Sequence, residues 1–200
     1  MKVEYMQMSR GIGQEVNKVF GEDGIHWSCL GWDGERKLKY LARRAYLDTR
    51  KDAPAIVEIG THRGVSSAIL ATMGWRVVTF DIEVQPLRDK VWTHFGCADK
   101  IDARLCNNDN HLATLLAPLK FDAAFIDGCH DYSSVSANFD AVARCGRVIF
   151  HDYELRCHKE RTVRFVDELR HGRTTKIIPF AYWESEAVAK IPWEGIPVAP

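Results

Sequence analysis

From Ala55 onward the chain alternates short, almost wholly apolar runs with longer segments of helical periodicity. Runs of that kind read as strands buried on both faces, as a parallel sheet covered by helices requires. The predicted strands are Ala55–Gly60, Arg76–Asp81, Ile101–Cys106, Phe121–Asp127 and Gly146–His151. Predicted helices at Val65–Met73, Leu87–Phe95, His111–Leu116 and Ser133–Arg144 separate them. In Lys159–His171, Val163, Phe165, Val166 and Leu169 have the spacing of one buried helix face, and Gly172 would stop that helix. Thr174–Tyr182 and Ala187–Ile191 then read as two strands joined by Trp183-Glu184-Ser185-Glu186, a terminal antiparallel hairpin. Upstream, a helix is predicted at Glu35–Arg50, behind a segment containing glycine and tryptophan. The pattern predicts an α/β fold, a doubly wound, mostly parallel sheet of seven strands ending in that hairpin.

A chain of 200 residues suits one domain spanning 1–200, with an N-terminal helical segment over 1–50 in front of a core over 55–191. Lysine plus arginine number 27 and aspartate plus glutamate 27, so there is no basic footprint of a nucleic-acid binder. The pairs Arg43-Arg44 and Arg161/Arg164 read as solvated helix faces. No apolar run approaches the roughly 20 residues that span a bilayer, and Met1–Gln7 lacks the apolar core of a signal peptide. The six cysteines are scattered without metal-knuckle spacing. A reducing cytoplasm is their simplest home.

Candidate chemistry gathers at the strand ends. In Ile56-Val57-Glu58-Ile59-Gly60-Thr61-His62-Arg63-Gly64-Val65-Ser66-Ser67, an apolar run ends in an acid, a glycine turn and the polar start of a helix. Gly60 can take backbone angles closed to other residues, and Gly64 is expected to let the helix approach the strand. Amides at such a helix start suit a carboxylate or phosphate. The next strand ends in Asp81, a position from which an acid can bind both hydroxyls of a ribose. The turn lacks Gly-x-Gly-x-x-Gly, and His62 and Arg63 would crowd a pyrophosphate, which weighs against NAD.

Two further segments sharpen this reading: Phe121-Asp122-Ala123-Ala124-Phe125-Ile126-Asp127-Gly128-Cys129-His130-Asp131-Tyr132 and Gly146-Arg147-Val148-Ile149-Phe150-His151-Asp152-Tyr153. With the glycine turn and Asp81 they resemble class I S-adenosylmethionine-dependent methyltransferases, which are Rossmann-like. The branch they resemble is that of small-molecule O-methyltransferases with Ile-Asp-Gly-x-His-x-Tyr and His-Asp motifs. The resemblance runs from about Ala55 to Ile191. It implies that Glu58, Gly60, Thr61, Gly64 and Ser66 hold the methionine part of S-adenosylmethionine, that Asp81 binds its ribose, and that Asp109 or Asn108 lies near its adenine, with Asp127 bordering both cofactor and acceptor. It also implies a small-molecule acceptor carrying a hydroxyl, for example on a sugar or a glycosylated natural product. Relatives often pair as homodimers, and the sequence leaves the oligomeric state open.

Methyl transfer from a sulfonium needs an aligned nucleophile with its proton removed or weakened, by a base or by a cation. In the resemblance, the histidine three residues after Asp127, His130, is the general base, and imidazole titrates in the range this requires. Asp127 and Asp152 would end adjacent strands, and two carboxylates facing one crevice call for a proton or a cation between them. Related metal-dependent enzymes use acids at these two strand ends for Mg²⁺ or Mn²⁺. Here His151 stands beside Asp152 where they usually have another acid or amide, so metal use stays open. Tyr132 and Tyr153 read equally as pocket wall and as packing, Trp27 and Trp32 as core packing sooner than as a lid over the acceptor, and His62 as a residue that shapes the cofactor turn. Two other readings stand beside the methyltransferase: a non-catalytic S-adenosylmethionine-binding module, and a metal-dependent hydrolase built on Asp127, His130, His151 and Asp152.

Overall fold

The computed structural model describes residues 11–20, 32–49, 51–153 and 159–189. In chain order these form helices α1 (Ile12–Phe20) and α2 (Trp32–Thr49), strand β1 (Ala55–Ile59), α3 (Val65–Thr72), β2 (Arg76–Asp81), α4 (Arg88–His94), β3 (Ile101–Leu105) and α5 (Asp109–Leu116). There follow β4 (Ala123–Ile126), α6 (Tyr132–Val142), β5 (Arg147–Phe150), a π-helical turn (Lys159–Val163) leading into α7 (Arg164–Glu168), then β6 (Arg173–Ile177), β7 (Phe180–Glu184) and α8 (Glu186–Ala189).

The seven strands make one sheet in the order β3-β2-β1-β4-β5-β7-β6. β1 to β5 are parallel, while β7 runs antiparallel to both β5 and β6. Strand order reverses between β1 and β4, so the carboxyl edge opens a crevice there. Alternation along the strands divides the apolar side chains between two cores. Ile56, Val77, Phe125, Ile149 and Tyr182 pack on one face under α1 to α4. Val57, Phe80, Ile126, Phe150 and Trp183 pack on the other under α5, α6 and α7.

The parallel strands and their helices fall within a few residues of expectation, and the deviations have local causes. α5 starts two residues before the predicted His111 because the Asn108 side chain accepts the His111 amide at 2.9 Å and caps the helix. The predicted terminal hairpin is displaced: Thr174–Tyr182 is not one strand. It breaks at Ile178-Pro179, where proline has no N–H for the ladder, and both hairpin strands come from that single run and its extension to Glu184. Glu186–Ala189 is helical, whereas a strand was expected from Ala187; the rest of that span lies outside the described residues.

The helix expected over Lys159–His171 is shorter, opening as a π turn and ending at Glu168. It buries Thr162, Phe165 and Val166. Helix α1 was not foreseen. Its first amides, those of Ile12 and Gly13, donate at 2.9 Å each to the two carboxylate oxygens of Glu35, a buried residue of α2. A helix start stabilised by a residue 23 positions downstream leaves no local trace in sequence.

Arg43 is exposed as expected, but Arg44 is not a solvated residue. Its guanidinium lies 3.0 Å from Asp48 and 3.6 Å from Glu184, and the Arg44 and Glu184 side chains are 3% and 0% exposed. Arg173 also donates to Glu184, and Arg147 reaches Asp48. Together they tie α2 to the lower edge of β5, β7 and β6. Among the described residues Cys97, Cys106, Cys129 and Cys145 are all reduced, and burial pushes the Cys145 thiol up to about 11. Within the same residues no helix is long and apolar enough to cross a membrane.

Candidate active site

The carboxyl ends of β2, β1, β4 and β5 stand side by side, so Asp81, Glu58, Asp127, His151 and Asp152 arrive at one edge. The turn after β1 depends first on close approach. Gly60 sits at φ +100°, and a Cβ there would lie 2.1 Å from the carbonyl oxygen of Asp127. Only glycine lets the two strands on either side of the switch point meet at that height. Gly64, at φ +74°, serves a different purpose from the one expected. Its missing Cβ makes room for Trp92 of α4, whose indole N–H donates to the Gly64 carbonyl at 2.8 Å. No local signal announces this partner, 28 residues away.

Glu58 is fully buried beneath the turn. Ser67 donates to its Oε2, while Oε1 takes no hydrogen bond among the described residues. Burial pushes the Glu58 carboxyl up to about 7, against the pull of the Ser66, Ser67 and Thr79 hydroxyls. Thr61 turns inward, its hydroxyl 2.6 Å from that of Thr79, so it offers the crevice only its main chain. Ser66 lies buried in the first turn of α3.

Asp81 is held by main-chain amides. The N–H of His62 donates to Oδ2 at 2.6 Å, and that of Ile82 to Oδ1 at 2.7 Å. Ile82 is a residue the sequence did not single out. Its apolar side chain is 73% exposed directly beside Asp81. Along the edge from Asp81, Asp109 is the half-buried first residue of α5, while the Asn108 side chain is occupied in capping that helix.

On the other flank, His151 points Nδ1 at Asp127 Oδ1 (2.8 Å) and Asp152 Oδ1 (3.1 Å). Both neighbours are carboxylate acceptors, so Nδ1 carries the proton. Its ring packs against Phe180 and Phe125. Burial works against the charged ring, but the Asp127 hydrogen bond and the two carboxylate charges prevail and raise its pKa. His130 places Nε2 3.0 Å from Asp152 Oδ2. Asp152 itself is in the left-handed region at φ +56° and nearly buried. Non-glycine residues kept there are held by their surroundings, and they cluster at functional sites. One oxygen each of Asp127 and Asp152 and one nitrogen of His151 lie within 4.8 Å of one another, close enough to hold a single cation.

The two tyrosines are packing residues. Tyr153 is buried and donates to Asp167 at 2.9 Å, and Tyr132 donates to Glu168 at 2.6 Å. The expected lid residue Trp27 and the side chain of Trp32 fall outside the described residues.

A parallel sheet ordered 3-2-1-4-5-7-6 with strand 7 reversed, carrying an acid at the ends of strands 1 and 2, defines a class I methyltransferase fold. Residues 57–153, from within β1 to Tyr153, match the family model described as a methyltransferase domain. No curated protein matches its sequence. Solved structures agree with the fold at low identity. The O-methyltransferase TomG from Streptomyces achromogenes, involved in tomaymycin synthesis and solved in complex with SAM, is 17% identical, with a TM-score of 0.63 over 90% of this chain and 91% of that one. An O-methyltransferase from Bacillus cereus in complex with SAH is 16% identical, with a TM-score of 0.60 over 87% and 97%. CalS11, a TDP-rhamnose 3'-O-methyltransferase of calicheamicin biosynthesis, is 15% identical, with a TM-score of 0.59 over 78% and 81%.

Proposed function

We propose that the chain transfers a methyl group from S-adenosylmethionine to a hydroxyl of a small metabolite, with His130 as the base. Similarity to O-methyltransferases, one of them acting on a nucleotide-linked sugar, supports a hydroxyl acceptor of the sugar or glycosylated-product class. The observation that carries the proposal is the His130–Asp152 contact of 3.0 Å on the acceptor flank of the crevice. With Nε2–H donated to Asp152, Nδ1 is the basic nitrogen of the neutral ring.

Bound S-adenosylmethionine supplies an electrophilic methyl on a sulfonium. Asp81 keeps lone pairs on both oxygens for the ribose hydroxyls, since each oxygen accepts in more than one direction. Ile82 offers an apolar face to the adenine. Glu58, buried beneath the turn with Oε1 unsatisfied among the described residues, would accept from the ammonium of the methionine part through a bridging water. Gly60 keeps the floor of the crevice low enough for the donor to sit between Asp81 and Asp127. With the donor bound, His130 would take the acceptor's hydroxyl proton while the methyl carbon leaves sulfur for that oxygen, releasing S-adenosylhomocysteine, and Asp152 keeps the ring oriented.

A second reading is favoured by one observation, the close triad of Asp127, His151 and Asp152. These three would hold a divalent cation, Mg²⁺ or Mn²⁺, which acidifies the acceptor hydroxyl as a Lewis acid. One experiment separates the two. Transfer to a panel of hydroxylated sugars is measured for wild type and His130→Ala, each before and after EDTA treatment. The base reading expects turnover to fall about a hundredfold or more in His130→Ala, with binding of S-adenosylhomocysteine retained and no effect of chelation. Loss on chelation, with recovery in Mn²⁺ or Mg²⁺, moves proton removal to the cation. Donor binding without transfer to any acceptor would leave a binding module.

A further inference from the structure

The turn between β1 and α3 contains His62 at φ +44°, between glycines at φ +100° and +74°. A left-handed histidine at an exposed position is an unfavourable choice of residue unless its main chain has work to do there. The structure shows that work. The His62 N–H donates to Oδ2 of Asp81, at the end of the neighbouring strand β2, at 2.6 Å, and the positive φ lets the chain turn back toward α3 while that contact is kept. Oδ1 of the same carboxylate is held from the other side by Ile82 at 2.7 Å and more loosely by Glu83 at 3.4 Å. With only the second pair, the carboxylate could rotate about its Cβ–Cγ bond, because terminal torsions of this kind are broad. With both oxygens fixed, its plane is set and its remaining lone pairs have one direction.

We infer that His62 is a positioning residue for cofactor binding: its left-handed main chain fixes the orientation of Asp81, so that both ribose hydroxyls of the donor are met by a preformed acceptor pair. The inference rests on the reading of Asp81 as the ribose acid. It goes beyond that reading by assigning part of the cofactor affinity to a residue whose own side chain need not touch the ligand. It also gives the residue between Gly60 and Gly64 a main-chain role: its N–H must meet Asp81 at a positive φ, which costs histidine more than glycine.

The test is a thermodynamic cycle read by calorimetric binding of S-adenosylhomocysteine. His62→Gly keeps the positive φ accessible, whereas His62→Val carries a β-branched side chain that disfavours it and re-aims the N–H. His62→Val is expected to weaken binding about three- to tenfold, because the carboxylate must then be oriented when the ligand binds, and His62→Gly to stay within about twofold of wild type. In an Asp81→Ala background, which alone weakens binding about tenfold or more, neither His62 variant should change affinity further. Melting temperatures recorded on the same samples report any general damage to the turn. An equal loss from His62→Val with and without Asp81 would overturn the inference, because the turn would then act independently of the carboxylate. So would wild-type affinity in His62→Val, or a loss in His62→Gly as large as that in His62→Val. Wild-type affinity in Asp81→Ala would instead remove the ribose reading itself, and the role of His62 with it.

Discussion

The two edges of the sheet both collect charged residues, and they do so in opposite ways. At the lower edge, Arg44, Asp48, Glu184 and Arg147 are enclosed between α2 and the ends of β5 and β7, with side-chain exposures of 3%, 5%, 0% and 12%. Each charge there has an opposite partner on a different element. At the upper edge, Asp127 and His130 are 22% and 26% exposed, and Asp152 and His62 have backbone angles that L-residues avoid. Charges closed in on one another hold a structure together, whereas charges that face a crevice from strained positions are set up to meet something else. The comparison separates groups that a composition count would lump together.

The sharpest way to break the contrast is to cut the lower network. Glu184→Ala leaves the Arg44 guanidinium buried without one of its carboxylates and is expected to destabilise the fold by about 4 kcal/mol in urea unfolding. The folded fraction should bind S-adenosylhomocysteine with wild-type affinity. A substantial loss of donor affinity at unchanged stability would mean that the lower edge is functional after all.

Glu58 tests the upper edge through pH. Its carboxyl is raised in the folded state, from 4.5 to about 7, so the folded protein holds a proton that the unfolded chain has released. Stability of the ligand-free protein therefore falls as pH rises from about 4.5 through 7, by at most roughly 3 kcal/mol. Glu58→Gln removes the titration. Its unfolding free energy between pH 5 and 8 should be flatter than that of wild type, and the variant should be the more stable of the two at pH 8. An unchanged slope would show that Glu58 is not the group responsible.

Asp152→Asn is expected to have the smallest effect on the fold, since asparagine tolerates the left-handed region, with stability kept to within about 0.5 kcal/mol. Turnover should still fall at least about tenfold, because an amide facing His130 no longer fixes the ring tautomer. Full activity in this variant would reduce the dyad to packing.

The parallel half of the molecule was legible because its signals are local. Apolar strands, a glycine turn and terminal acids each occupy a few consecutive residues, so Glu58, Asp81, Asp127 and Asp152 could be assigned to strand ends before any contact was known. The hairpin was not legible in the same way. The nine residues Thr174–Tyr182 read as one strand until Pro179 is given its full weight as a break in the ladder. Arg44 looked like a surface residue because nothing on α2 announces that Glu184, 140 positions later, will lie beside it.

Short windows of the chain were enough to give the order of the parallel strands with the helices between them, and the acids that reach the carboxyl edge. Those properties follow from side-chain periodicity and backbone permissiveness within short windows. Only the tertiary structure decided that His151 would stand between Asp127 and Asp152, that Trp92 would fill the space beside Gly64, and that the amide of His62 would hold Asp81. These are contacts between segments separated along the chain, and their geometry exists only once the sheet has brought the strand ends within hydrogen-bonding distance.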